Sequence, residues 1–85
     1  MNNKLKYTDL LQKLQKENEG HIVIMQSGIF FISVGKDALE LNKLLGLKLT
    51  CMKEGMCKVR FSNKIYRKIY KQIRRFKNIF YYIYI

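Results

Sequence analysis

Apolar residues recur along the chain at two spacings, and the longer spacing predicts helices. Three segments keep the i, i+3, i+4, i+7 pattern that is typical of amphipathic helices. Their apolar residues are Tyr7, Leu10, Leu11 and Leu14 in the first segment, Ala38, Leu41, Leu44 and Leu45 in the second, and Ile65, Ile69, Ile73 and Phe76 in the third, which covers residues 64–76. We therefore expect three helices, each with one buried side.

Small polar residues and glycines predict where these helices begin and end. Side-chain oxygens that can cap the first amides are supplied by Thr8 in the first helix, Asp37 in the second, and Ser62 or Asn63 in the third. Gly20 and Gly46 follow the first two helices, where a left-handed residue is favoured.

Five segments predict short strands, namely residues 21–26, 29–34, 47–52, 56–61 and 78–85. The first is rich in β-branched residues and the last in aromatic and β-branched residues. Ser27 and Gly28 predict a tight turn between the first two, and residues 53–55 predict a three-residue loop between the next two. The order αββαββαβ predicts an α/β (α+β) fold, a small mixed sheet of about five strands with three helices packed on it. With 85 residues and no repeat or linker, we expect one domain over residues 1–85.

Charge is distributed unevenly between the two parts of the chain. Residues 1–55 carry eight Lys and six acids, whereas residues 56–85 carry nine Lys or Arg and no acid, within a net charge of +11. Six of these cations fall on the side of the third helix opposite its isoleucines, namely Lys64, Arg67, Lys68, Lys71, Arg74 and Arg75. Like charges four residues apart repel by a few tenths of a kcal/mol, a cost that bound phosphates would offset.

The basic helix therefore predicts contact with a nucleic acid, and an ordinary solvated face is the alternative. A membrane surface would also attract these cations, but packing on the sheet explains the isoleucine side better. The uncharged stretch at residues 78–85 is too short to cross a bilayer, so we expect no membrane partner.

The cysteines and the single histidine predict no catalytic or metal site. Cys51 and Cys57 lie symmetrically about residues 53–55 and are expected to be reduced thiols that pack as small apolar groups, although a disulfide is geometrically possible. Zinc needs about four ligands, and His21 is the only other soft ligand. We expect no cofactor and no enzymatic activity, since no phosphate-binding glycine loop occurs either. Two cysteines without a signal peptide predict a cytoplasmic protein.

Phe30 and Phe31 follow the glycine of the first predicted turn. Aromatic residues in a strand usually belong to the core, but one beside a tight turn can lie at the sheet edge and stack on a base.

Three segments in order resemble the N-terminal mismatch-recognition domain of the MutS family. They are IVIMQSGIFF at residues 22–31, GKDA at residues 35–38 and LLGLKLT at residues 44–50, and the stretch 61–73 is similar to the helix that follows in that domain. The resemblance covers about residues 7–75. It implies the MutS domain I fold and a DNA-binding role in which mismatched pairs are recognised.

The resemblance also implies roles for single residues. Phe30 stands where the family has the phenylalanine that wedges into the duplex, and Gly28 stands at the turn glycine. The sequence departs from the family at five positions. Ile29 replaces an Asp, Phe31 replaces a Tyr, and Ile32 replaces the glutamate that contacts the mispaired base. Arg60 and Ser62 replace a Gly and a Pro. An apolar wedge without its glutamate still stacks on bases but lacks the polar contact that reads a mispair.

Two hypotheses follow for the function. In the first, a non-catalytic module binds DNA, RNA or a hybrid through Gly28, Phe30, Phe31, Arg60 and the six cations of the third helix. In the second, the chain is a protein-interaction subunit that docks through Phe30, Phe31 and the last strand. Its size and domain content resemble small MutS-like accessory factors of reverse transcriptases in diversity-generating retroelements, which implies a polymerase as partner.

Overall fold

A computed structural model describes residues 6–51 and 56–84 of the protein. Its elements are α1 (Lys6–Glu17), β1 (His21–Ser27), β2 (Phe30–Val34), α2 (Gly35–Leu45), β3 (Leu49–Cys51), β4 (Cys57–Ser62), α3 (Asn63–Arg74) and β5 (Asn78–Ile83). This order confirms the predicted succession of helices and strands. The α+β class with one five-stranded mixed sheet is confirmed as well.

The five strands lie in the order β3-β4-β2-β1-β5. β2 pairs antiparallel with both β1 and β4, and β3 pairs antiparallel with β4, whereas β5 pairs parallel with β1. A parallel neighbour needs a crossover connection, and α3 supplies it by carrying the chain from β4 across the sheet to β5. The most basic helix therefore runs over the face of the sheet and ends beside its outer strand.

Helices cover both faces of the sheet. Residues of β1 alternate between the faces: Ile22 and Ile24 pack under α2 and α3, and Val23 and Met25 pack under α1. Every one of the four is at most 1% exposed, so β1 is the buried centre of the domain. α1 contributes Leu11 to its face, as the apolar spacing of that segment predicts.

β1 and β2 are joined by a tight turn, as predicted, but the turn lies one residue later than Ser27 and Gly28. Ser27 pairs with Phe30, which leaves Gly28 and Ile29 as the loop, and Gly28 adopts a φ of 63°. Positive φ at the first loop position is what a type II′ turn requires, and glycine meets it without strain. The backbone N–H of Asn63 donates to the carbonyl of Ile29 at 3.0 Å, which ties the turn to the start of α3.

Asp37 does not cap α2, and this prediction is wrong. The N-cap residue is Val34, and the carboxylate of Asp37, at the third helical position, turns into the protein and is fully buried. Its Oδ2 accepts hydrogen bonds from the backbone N–H of Val23 at 2.9 Å and from Nε2 of Gln15 at 3.0 Å. The hydroxyl of Ser33 donates to the carbonyl of Val23 at 2.8 Å, so the side chains of Asp37 and Ser33 satisfy both backbone groups of Val23 in β1.

The predicted helix boundaries are partly right. Ser62 is the N-cap of α3, and its Oγ accepts a hydrogen bond from the N–H of Ile65, while Gly46 ends α2 in the left-handed conformation at a φ of 70°. Thr8, predicted as a cap, lies inside α1 instead, because that helix already includes Lys6. Among the helices of the described residues, none is long and apolar enough to span a membrane.

Candidate nucleic-acid interface

The six cations predicted for the third helix lie on one exposed side of α3 and at its end. All six side chains are exposed, namely Lys64, Arg67, Lys68, Lys71, Arg74 and Arg75. At 100° per residue they fall within an arc of about 120°, and the helix carries them over a length of about 18 Å. Ile73, on the opposite side, is buried against the sheet. We call this surface the basic face of α3.

Within the part of the chain that the structure describes, no acid pairs with the basic face. In residues 6–51 and 56–84 a single salt bridge occurs, between Lys77 and Glu40 at 2.9 Å. Lys58 donates to the hydroxyl of Tyr7 at 3.2 Å on the other side of the sheet. Neither lysine belongs to the basic face, and the six side chains of that face make no hydrogen bond or ion pair within this part of the chain. Their charges are thus free to meet an external anion.

The half-buried Phe30 and the exposed Arg60 form a separate pair near the start of α3. The guanidinium carbon of Arg60 lies 3.8 Å from the centroid of the Phe30 ring, a cation–π contact. Phe30 pairs in the ladder with Ser62, the N-cap of α3, but its side chain points to the α1 side of the sheet, because its neighbour Phe31 points to the α2 and α3 side. The pair and the basic face therefore lie on opposite sides of the sheet.

Phe31 is not part of any surface, which corrects its predicted contact role. Its side chain is 4% exposed and belongs to the core under α2 and α3. The rings of Phe61 and Tyr66 stack on it at centroid distances of 5.9 and 4.4 Å. Neither face of the Phe31 ring is accessible to a base, so Phe31 is not a contact residue.

A cleft between α3 and β5 brings together residues that the sequence did not single out as a site. It is open, has a volume of 490 Å³, and is lined by Tyr66, Tyr70, Arg74, Asn78, Ile79 and Tyr81. Burial, and next the neighbouring hydroxyl of Tyr81, raise the pKa of the Tyr66 hydroxyl, so it stays neutral near pH 7. The four-residue spacing of Tyr66 and Tyr70 was visible in the sequence, but the approach of β5 was not.

Cys51 and Cys57 form a disulfide, so the prediction of two reduced thiols is wrong. The two residues are paired directly across β3 and β4, and this pairing brings their side chains together. The predicted loop at residues 53–55 lies outside the described residues. A disulfide is typical of oxidising compartments, so the pair no longer supports the cytoplasmic location expected from the sequence.

Comparison with known proteins assigns this chain to no family. No protein-family model matches the sequence, and no curated protein matches it either.

Proposed function

We propose that this chain is a non-catalytic nucleic-acid-binding module in which the basic face of α3 holds phosphates. The observation that carries the proposal is a set of six exposed cations on one side of a helix, none of which has a side-chain partner among residues 6–51 and 56–84. Such an arrangement repels itself unless anions neutralise it, and a nucleic-acid backbone supplies anions at regular, close spacing. The length of the helix, about 18 Å, corresponds to roughly five base pairs of duplex.

The resemblance to MutS domain I supports a second contact, on the α1 side of the sheet. We propose that Phe30 stacks on or unstacks a base, with Arg60 moving from the ring to a nearby phosphate. Ile32 replaces the family glutamate and packs on the α1 side of the core, so this position offers no polar contact to a mispair. We therefore expect matched and mismatched duplexes to bind with similar affinity.

The edge of the sheet supports an alternative function as an accessory subunit of a reverse transcriptase or another protein. Among the strands that the structure describes, β5 pairs with β1 alone, and large apolar side chains are exposed on and around it, namely Phe76, Tyr81, Ile83 and Tyr84. An exposed edge of this kind suits pairing with a strand of a partner. A cytoplasmic location goes with either function and is likewise a proposal.

A salt titration of binding tests the leading proposal. Anisotropy of labelled duplex and structured RNA would be followed in increasing NaCl for the natural chain and for Arg67→Gln/Lys71→Gln. Each lost phosphate contact lowers the slope of log affinity against log salt by about 0.9 on duplex, so the double variant should lose nearly two units. In the same titration Phe30→Ala should weaken binding and leave the slope unchanged.

Lys13→Gln/Lys16→Gln is the matched control, because it removes the same charge from exposed positions of α1 on the opposite side of the sheet. It should keep the slope of the natural chain. Equal losses in both double variants would show that net charge alone drives binding. Negligible affinity for every nucleic acid near physiological salt, with a protein that co-purifies in constant proportion, would favour the accessory subunit.

A further inference from the structure

The tyrosine cleft between α3 and β5 continues a stack of rings that begins in the core. Phe31 and Tyr66 are separated by 4.4 Å between centroids and inclined by 10°. Tyr70 follows Tyr66 at 5.7 Å and 29°, and Tyr81 lies 6.2 Å from Tyr66 at 24°. The rings are thus close to parallel, and the buried end of the stack fixes the orientation of the exposed end. Tyr81 is 42% exposed.

A second depression adjoins this cleft and is strongly basic. It has a volume of 280 Å³ and is lined by Lys71, Arg74, Arg75 and Asn78. Arg74 and Asn78 line both depressions, so the two are adjacent. Three cations and no acid line the smaller depression, whereas aromatic rings dominate the larger one. The combined surface has aromatic rings that can stack on a ligand on one side of Arg74 and cationic side chains on the other side.

We infer that the cleft binds one unpaired nucleotide of a single strand, with its base against Tyr70 and Tyr81 and its phosphate among Lys71, Arg74 and Arg75. Planar bases stack on aromatic side chains, and phosphates prefer clustered Lys and Arg, so a nucleotide unit matches both depressions at once. The amide of Asn78, between them, has both donors and an acceptor for a base edge. A base in a duplex has its faces covered by neighbouring pairs, which restricts the cleft to unpaired bases.

The inference rests on the proposed function, because the strand reaches the cleft along the basic face of α3. It adds a base-binding position at the C-terminal end of the helix, whereas Phe30 lies at the N-terminal end. Basic residues alone do not distinguish single strands from duplex. The tyrosines do, because their rings stack on a base whose face is not covered by neighbouring bases.

Two oligonucleotides separate the contribution of the bases from that of the phosphates. A labelled thymidine 12-mer has both, and an abasic 12-mer keeps the phosphates alone. We expect the natural chain to bind the thymidine 12-mer at least about fivefold more tightly than the abasic strand. Tyr70→Leu/Tyr81→Leu should remove most of this difference, with Phe30 accounting for any remainder, and should leave the salt slope unchanged, whereas the Phe variants at both positions should retain it. Far-UV circular dichroism during heating checks that each variant is folded.

Tyr84→Leu is the control, since Tyr84 is exposed just after β5 and does not line the cleft. It should bind both strands as the natural chain does. Equal binding of the two 12-mers by the natural chain, with the loss at Arg67→Gln/Lys71→Gln intact, would overturn the inference and leave the proposed function standing. No binding to either 12-mer or to duplex would overturn both. Adenosine monophosphate that binds as tightly as the 12-mer, or an acidic peptide that displaces it in a Tyr70-dependent way, would assign the cleft to another ligand.

Discussion

α2 and α3 lie on the same face of the sheet and have nearly the same length, 11 and 12 residues, but their sequences follow different constraints. α2 buries Asp37, Ala38 and Leu41, whereas α3 buries only Ile73. α2 carries both cations and acids, with Lys36 and Glu40 one turn apart, and the charged residues of α3 are all cations. The fold thus depends on α2 for its core, and most of the surface of α3 is left to meet something outside the chain.

The largest expected effect of this difference is on stability. Leu41→Ala should lower the free energy of unfolding by about 2–5 kcal/mol, because Leu41 is fully buried and the substitution leaves a cavity. Ile65→Ala on α3 removes a side chain that is 37% exposed and should cost less than about 1 kcal/mol. Urea unfolding followed by circular dichroism measures both. Similar losses would show that α3 is as much a part of the core as α2 is.

A smaller effect concerns pH and separates the helices by their acids. Burial raises the pKa of the Asp37 carboxyl above 3.8, and the hydrogen bonds from Val23 and Gln15 oppose this only in part. The folded state therefore holds a proton where the unfolded state has lost it, and this group's contribution to stability falls as pH rises from 3.8 through the raised pKa. Each unit of the rise corresponds to about 1.4 kcal/mol.

Asp37→Asn keeps an acceptor oxygen and cannot ionise, so this decline should disappear when unfolding in urea is measured from pH 4 to pH 7. Glu40→Gln, a matched loss of one acid on the same helix, should leave the decline in place. A decline that survives in Asp37→Asn would mean that another group causes it. α3 has no acid and contributes nothing to this pH dependence.

The sequence predicted the elements well because their signals are local. Apolar spacing located all three helices, and Ser62 and Gly46 marked ends that the structure confirms. Asp37 misled because a carboxylate early in a helix has the same local pattern whether it caps the helix or turns inward. Its true partner, the N–H of Val23, is 14 residues away.

The candidate site was predictable only where it lies within one element. The basic face belongs to α3 alone, so helical spacing was sufficient to find it. The tyrosine cleft needs Tyr70 of α3 and Tyr81 of β5, which meet because β5 pairs in parallel with β1. Nothing in a local pattern determines that register. Similarly, strand alternation places Phe30 and Phe31 on opposite faces of the sheet but does not show which face each side chain occupies. The packing of the helices decides this: Phe31 lies in the core under α2 and α3, and Phe30 lies on the α1 side.

The smallest expected effect concerns single lysines at the same position of the two helices. Lys64 and Lys36 are each the second residue of their helix. Lys64→Glu should raise the free energy of unfolding by roughly 0.5–1 kcal/mol at low salt, because the carboxylate meets the helix dipole and pairs with Arg67 and Lys68. Lys36→Glu should not, because the new carboxylate adjoins Asp37 and repels Glu40, four residues on.

Affinity for nucleic acid should change in the opposite sense to stability: Lys64→Glu should bind more weakly, and Lys36→Glu should bind as the natural chain does. Urea unfolding at about 20 mM and 0.5 M NaCl checks the electrostatic origin, since salt should remove most of the gain. A helix that becomes more stable and binds less well when one lysine becomes glutamate carries its positive charge for a partner. If Lys64→Glu instead destabilises the protein at low salt, the stem of that lysine contributes to packing and the contrast between α2 and α3 is weaker than their charges indicate.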